Sequence, residues 1–291
     1  MWSTTCFLQP DIVTLPHKKQ RYLNPNGTPM QHNVYHWFVF RDGALLLKHE
    51  ADGTRHVPCT ENPPVDIPSG AYIAQLPEAE GHEGRAFEAA PDTQTEEGWE
   101  WIKLRASYDV LSEPIYLLAG KGSELVYWDK QTRYCSRCGS PLQLHSNISK
   151  KCPNCGREVW PQLNIAIIVL VRRGQKALLV RAKNFAGNFR GLIAGFVETG
   201  ETLEECVTRE VMEETGISIK NLQYFGSQPW PYPLGLMCGF TAEYEDGEIC
   251  LQRSELIDGD WYDHNHLPVI PPKLSMARML LDAWQEGKFD K

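Results

Sequence analysis

Four cysteines constrain this chain more than any other feature: Cys135, Cys138, Cys152 and Cys155 stand in two C-x2-C pairs with thirteen residues between the pairs. Two such knuckles can present four thiolates tetrahedrally, the arrangement Zn2+ takes in closed structural sites. The glycine that follows each pair, Gly139 or Gly156, permits the tight turn that aims backbone amides at the sulfurs. Four thiolates leave no open coordination position, so one structural Zn2+ per chain is expected. Iron–sulfur ligation and redox C-x2-C pairs are poorer readings, because neither knuckle opens a helix after a strand. Cys6, Cys59, Cys206, Cys238 and Cys250 are isolated and read as ordinary thiols.

The zinc module divides the 291 residues into three parts: 1–131, 132–160 and 161–291. The first is rich in aromatic and β-branched residues, as at 36–40 (HWFVF) and 44–47 (ALLL). Turn signals at 24–27 (NPNG), Asp42-Gly43, Asp52-Gly53 and 62–64 (NPP) punctuate it. It reads as an α+β domain of short strands, a scaffold or dimerisation unit with no chemistry of its own. Residues 77–100 are acidic, with scattered glycine and proline, and read as a solvated loop. The longest apolar stretch, residues 165–171, is a third of what a bilayer span requires, so no membrane partner is expected. The N-terminus lacks a basic segment followed by an apolar run and the C-terminus, KFDK, matches no common address tag, so a cytoplasmic location is expected. A formal charge of −8 disfavours unassisted binding of long nucleic acid. An acidic protein that acts on an anionic substrate needs cations at its site.

In the third part, residues 165–171 (IAIIVLV) read as a buried strand, 172–174 as a turn, 177–181 as the partner strand and 192–196 as a third strand. Residues 195–217, GFVETGETLEECVTREVMEETGI, then carry the chemistry. Thr202 is an N-cap with Glu205 at the capping-box position, Leu203, Val207 and Val211 form one apolar helical face, and Gly216 is the C-cap. Glu210 and Glu214 project from one side of that helix with Glu213 beside them. Such crowding weakens a helix by a few tenths of a kcal/mol per like-charged pair, and the helix dipole disfavours acids in the last turn. Bound Mg2+ or Mn2+, which take carboxylate oxygens and bridge to phosphates, resolves both problems.

This segment resembles the Nudix box, G-x5-E-x7-R-E-U-x-E-E-x-G-U with U apolar, at every defined position: Gly195, Glu201, Arg209, Glu210, Val211, Glu213, Glu214, Gly216 and Ile217. The resemblance implies an α/β fold, a Nudix α/β/α sandwich with a mixed sheet. It also implies metal-dependent attack of water at phosphorus in a nucleoside diphosphate linked to another group. Residues 227–235 (SQPWPYPLG) resemble the SQPWPFPxS signature of NADH pyrophosphatases, and a four-cysteine ribbon just before the catalytic domain is the arrangement of their bacterial subgroup. Prolines stiffen such a loop, and Trp230 and Tyr232 offer flat faces to a ring. By this resemblance the catalytic groups are Arg209, Glu210, Glu213 and Glu214. The Mg2+ or Mn2+ ligands are Glu210, Glu213, Glu214, Glu255 and the Ala194 carbonyl, and Arg209 orients Glu213 and Glu201. The substrate contacts are Trp160, Phe196, Gln228, Pro229, Trp230, Pro231, Tyr232, Pro233, Leu234, Gly235 and Ala277. The implied reaction splits NAD(H) into nicotinamide mononucleotide and AMP. Removal of an NAD cap from RNA, with Lys150, Lys151, Arg157, Arg172 and Arg173 as a basic track, and hydrolysis of a broader substrate such as ADP-ribose are the alternatives. A homodimer with a shared pocket is implied as well. Three positions depart from the pattern: Gly235 replaces Ser, Tyr232 replaces Phe and Trp160 replaces Tyr.

Overall fold

Strand β11 (Asn164–Arg173) organises the catalytic part because its residues alternate between two cores. Ile167, Val169 and Val171 pack in one core with Cys206, Val207 and Val211 of helix α2 (Leu203–Thr215). Ile168 and Leu170 point the other way, against Met276, Leu280, Leu281 and Trp284 of helix α3 (Met276–Gln285). A strand buried on both faces must be apolar at every position, which is why 165–171 is an unbroken apolar run.

The computed structural model describes residues 34–185 and 187–289, all within one compact unit, Val34–Lys291. Cys6, the turn at 24–27 and the terminal features noted above lie outside the described residues, as does the start of the 1–131 part. The N-terminal strands are β1 (Tyr35–Arg41), β2 (Ala44–His49), β3 (Arg55–His56), β4 (Cys59–Thr60), β5 (Ala74–Ala79), β6 (His82–Glu88) and β7 (Trp99–Lys103), followed by helix α1 (Glu113–Gln131). They form one sheet in the order β3-β2-β1-β6-β5, with β4 on β1 and β7 on β2. The small middle sheet contains β8 (Gln143–Ser146), β9 (Ser149–Lys151) and β10 (Glu158–Val159).

The catalytic sheet has β12 (Lys176–Ala182), β13 (Ile193–Phe196), β14 (Ser218–Pro229), β15 (Gly235–Asp246) and β16 (Leu256–Asp263) around β11. Its order is β14-β15-β11-β12-β16, with β13 also on β11. Only the β11–β15 pair in it is parallel, so the sheet is mixed. With α2 on one face and α3 on the other, it is the expected α/β/α sandwich. The N-terminal sheet repeats this scheme in reduced form, its central β1 running parallel to β6 and antiparallel to β2.

Two expectations change. Residues 77–100 are not one loop: β6 and the end of β5 fall there, because Leu76, Ala86 and Phe87 point inward while Glu78 and Glu83 take the solvent side. Helix α1, 19 residues long, has no counterpart in the sequence reading. Its Gly120 and Gly122 disfavour a helix locally, yet both are needed for packing. A Cβ on Gly122 would lie 2.9 Å from the Ala86 Cβ, and one on Gly120 would lie 3.0 Å from Pro231 Cγ. Helix α1 thereby fills the space between the N-terminal sheet and the turn that joins β14 to β15.

Candidate active site

Helix α2 begins and ends where its caps dictate. Thr202 accepts from the Glu205 amide at 3.1 Å, Glu205 accepts from the Thr202 amide at 2.7 Å, and Gly216 is left-handed at φ 72°. One guanidinium holds three of the acids, Glu201, Glu210 and Glu213. Arg209 donates to Glu201 at 2.7 and 3.0 Å, to Glu210 at 2.9 Å, to Glu213 at 3.1 Å and to the Phe196 carbonyl at 3.2 Å. Charge-assisted bonds of this kind are short and directional, so Arg209 ties the loop before the helix to its last turn. Arg209 holds the Glu201 carboxyl down at about 2, with help from the Glu198 amide, and is itself held more firmly protonated by Glu201.

The acids are not equivalent. Glu213 is exposed, whereas Glu214 is only 5% exposed. Burial pushes the Glu214 carboxyl up to about 8, and the charges of Glu210 and Glu255 push in the same direction. Burial also raises Glu210, against the opposing pull of Arg209, with Glu213 and Glu255 adding to the rise. Glu255 comes from the loop before β16, so Glu210, Glu214 and Glu255 share one field although 41 positions separate Glu214 from Glu255 (255 − 214). A buried acid in the field of two others is stabilised by a cation, and hard carboxylate oxygens are the donor set that Mg2+ or Mn2+ takes. Their donor chemistry fits such an ion, although the three carboxylates are not all drawn within 4.8 Å of one another as the ribbon sulfurs are. Gly195 makes room for this set: a Cβ there would lie 2.0 Å from the Glu210 carboxyl. Ala194, next to it on β13, is exposed.

The segment after β14 has two faces. Gln228 donates Nε2 to the Leu274 carbonyl at 2.8 Å, while its Oε1 is buried without a partner. Gln228, Pro229, Trp230, Pro231 and Gly235 line a cavity of about 430 Å3 whose opposite wall is α1, with Tyr116, Gly120, Lys121 and Glu124. A larger depression of about 650 Å3, beside Trp99 and Asp92, holds none of these acids. Tyr232 does not offer its ring to the cavity. It packs into the N-terminal core, and its hydroxyl bonds the Tyr116 hydroxyl. Burial and Tyr116 raise its pKa far above the usual phenol range. Trp230 meets Tyr232 edge-on at 5.1 Å and lies under the Arg105 guanidinium at 5.3 Å. Pro231 is buried, Pro233 is exposed and the Leu234 carbonyl accepts from the Asn164 amide at 3.1 Å. A Cβ at Gly235 would come within 2.8 Å of the Trp230 carbonyl, which accounts for glycine where the signature has serine. Ala277 is buried in the α3 core, whereas Trp160 and Phe196 are 51% and 66% exposed.

Glu124 is the site residue the sequence did not reveal. Burial raises its carboxyl to about 7, against the Gly235 amide and Lys121, and its Oε1 has no partner. It sits on the missed helix, in no motif, and only the approach of α1 to the β14–β15 turn brings it to the cavity. The basic track thins out: Lys150 is buried, paired with Asp129 at 2.6 Å, and Arg172 donates to the Phe289 carbonyl at 2.8 Å. Lys151 and Arg157 stay exposed.

The four ribbon cysteines come together as expected. Their sulfurs lie within 4.8 Å of one another, with Cys135 to Cys155 at 3.6 Å and Cys138 to Cys152 at 3.5 Å. The edge of a ZnS4 tetrahedron with ~2.3 Å bonds is ~3.8 Å, so the four thiolates fit zinc. Bonds from Ser140 lower Cys138 to about 6. Cys155 stands at about 11 despite the Arg157 amide, raised by burial and by its neighbouring thiols. Gly139 and Gly156 both adopt φ 73° and return their amides to the carbonyls of Cys135 and Cys152.

An arginine-tied acid set in the last turns of a sandwich helix is a Nudix centre, and comparison with known proteins agrees. Residues 160–282 match the model of the NUDIX domain. Residues 34–128 match that of the NADH pyrophosphatase-like rudimentary NUDIX domain, and 130–159 that of the NADH pyrophosphatase zinc ribbon domain. The chain is 42% identical over 273 residues to the NAD-capped RNA hydrolase NudC of Pseudomonas aeruginosa, covering 93% of this chain and 87% of the relative. It is 44% identical over 199 residues to the NAD-capped RNA hydrolase NudC of Pasteurella multocida, covering 67% and 73%. The chain belongs to the Nudix hydrolase family. Within that family it has the rudimentary first domain and zinc ribbon of the NADH pyrophosphatases.

Proposed function

We propose that the chain hydrolyses the pyrophosphate of NAD(H) to nicotinamide mononucleotide and AMP, using Mg2+ or Mn2+ held by Glu210, Glu214, Glu255 and the Ala194 carbonyl. The observation that carries this reading is the buried carboxyl of Glu214 in the field of Glu210 and Glu255. A bound divalent ion supplies Lewis acidity at the phosphoryl oxygens and lowers the pKa of the attacking water. Arg209 holds Glu210 and Glu213 in place, and Glu213, exposed beside the buried acids, completes the metal site or positions that water. Gln228 Oε1 and Glu124 Oε1 are free acceptors for amide or amine donors of the dinucleotide. Trp160, Phe196, Trp230 and the rest of the 228–235 segment enclose its rings, with Ala277 behind them; Tyr232 acts by holding the segment.

The names of the relatives support the same chemistry on NAD-capped RNA. We propose further that 1–131 is a scaffold or dimerisation part, 132–160 the ribbon and 161–291 the catalytic part of a homodimer. None of the eight described cysteines is in a disulfide, which suits the reducing cytoplasm. No described helix is long and apolar enough to cross a membrane. Rates with NADH, NAD+, ADP-ribose, diadenosine polyphosphates and NAD-capped RNA, measured side by side with each metal, test the proposal. The highest kcat/KM should fall on NADH, NAD+ or the capped RNA. A preference for ADP-ribose or the diadenosine compounds refutes it.

A further inference from the structure

At one end of the N-terminal sheet, well apart in sequence from the acids of α2, three metal-ligating side chains converge. His36 on β1 is the register partner of Cys59 on β4. His82 begins β6, which runs parallel to β1 with Gly84 opposite His36. One ligand atom from each of the three lies within 4.8 Å of the others. Cys59 looked like an ordinary thiol in the sequence, and nothing in the spacing of 36, 59 and 82 suggests a site. Three adjacent strands create it.

His36 makes the cluster unlike ordinary packing. It is 7% exposed, and neither Nδ1 nor Nε2 makes a hydrogen bond of full geometry, although the Ala79 carbonyl lies near the ring. Leaving a buried polar atom unpaired is destabilising, and an apolar residue would have continued the run through Phe38 and Phe40 without that penalty. The His82 ring meets it edge-on at 5.5 Å, held by a two-residue hairpin turn in which Glu80 and Gly81 are both left-handed, at φ 50° and 87°. Burial lowers the basicity of His36, with His82 adding to the effect against the Ala79 carbonyl and Glu80, and burial raises the Cys59 thiol. Arg55 is already matched by Glu100 at 2.8 Å, and the His56 ring is hydrogen-bonded to Glu50 at 2.8 Å. Glu80, which accepts from Ser112, adds a negative charge nearby.

We propose that His36, Cys59 and His82 form a second transition-metal site, selective for a Zn2+-like cation over Mg2+. Two imidazoles and a thiolate are borderline-to-soft donors, which take zinc and leave magnesium to oxygen ligands. Binding breaks the Cys59 S–H bond, forms a metal–sulfur bond and releases one proton to solvent. Three protein ligands leave a coordination position open to water, and the cluster borders a cavity of about 290 Å3 walled by Arg55, Glu80, Ser112 and Ile115.

Native mass spectrometry of the full chain titrated with Zn2+, with Mg2+ in excess to occupy the carboxylates of α2, counts the bound zinc. The wild type should hold two, one in the ribbon and one here. Cys59→Ser, nearly isosteric, and His82→Asn, at a half-buried position, should each hold one, with the affinity for the second zinc reduced by more than the ~10–100-fold that outer-shell changes cost. Thermal melts without added zinc establish that each variant is folded. A wild type that binds a single zinc, or folded variants that still bind two with unchanged affinity, overturns the site.

Discussion

Glu213 and Glu214 adjoin in sequence and differ in environment, because one residue of helix turns a side chain by about 100°. Glu213 stays in solvent under Arg209, while Glu214 is carried under the loop beside Glu210 and Glu255. Without metal, the folded-state pKa of Glu214 stands above its unfolded value, so its contribution to stability is fully present below about 4.5 and is lost as pH rises towards about 8. Denaturant melts of metal-free protein should show this loss between those limits; Glu214→Gln should flatten it, and Mn2+ should offset it in the wild type only. The same variant should keep its circular dichroism and lose orders of magnitude in kcat, and retention of more than about a tenth of the rate would remove Glu214 from the ligand set. Gly195 tests the same geometry from the backbone. A methyl group there overlaps the Glu210 carboxyl, so Gly195→Ala should depress turnover with Mg2+ sharply while the fold persists, as paired activity and melting measurements would show.

At the scale of elements, α1 sets local propensity against packing. In an exposed helix Gly→Ala gains about 1 kcal/mol. At Gly122 the new methyl group meets Ala86 at 2.9 Å and Leu76 at 3.2 Å, and overpacking of this kind costs about 1–3 kcal/mol. The second effect wins, so Gly122→Ala should destabilise the chain in urea melts; a stabilised variant would mean that α1 does not lie this close to the sheet. Helix α2 is the opposite case. Its capping box, apolar face and terminal glycine all lie within its own stretch of chain, and the sequence marked both its ends correctly. The end of β5 and all of β6 were lost in the 77–100 segment because Glu78, Glu83 and Glu88 interrupt their apolar residues, and only the alternation against α1 tells the two faces apart.

For the molecule as a whole, the ribbon is the part with least core of its own: β8 is exposed along its length, and Cys135 and Cys152 are its buried centre. Stripping its zinc with a chelator should therefore unfold 132–160 while the two larger sheets keep their circular dichroism, with Trp160 fluorescence reporting the change. Exposed Trp160 and Phe196 also bear on the proposed dimer, since aromatic anchors are enriched at interfaces. Light scattering should give twice the chain mass. Trp160→Ala should raise KM for NADH more than it lowers kcat, by roughly fivefold if a ring stack of about 1 kcal/mol is lost. A fully active monomer would rule out the shared pocket.

The sequence by itself determined the parts whose information is local. The four cysteines bring their own turns and chemistry, and α2 carries its caps, its acids and the arginine that orders them within 23 consecutive residues. The apolar run of β11 likewise declared a strand buried on both sides. What depends on distant segments meeting was decided only by tertiary structure. Glu255 joins Glu214 through the sheet, Glu124 reaches the cavity through α1, and Tyr232 turns from an expected ring-binding face into a domain contact because Tyr116 stands opposite. His36, Cys59 and His82 show the same principle most plainly. Strand pairing places side chains side by side without regard to their separation along the chain, so no local pattern encodes the meeting.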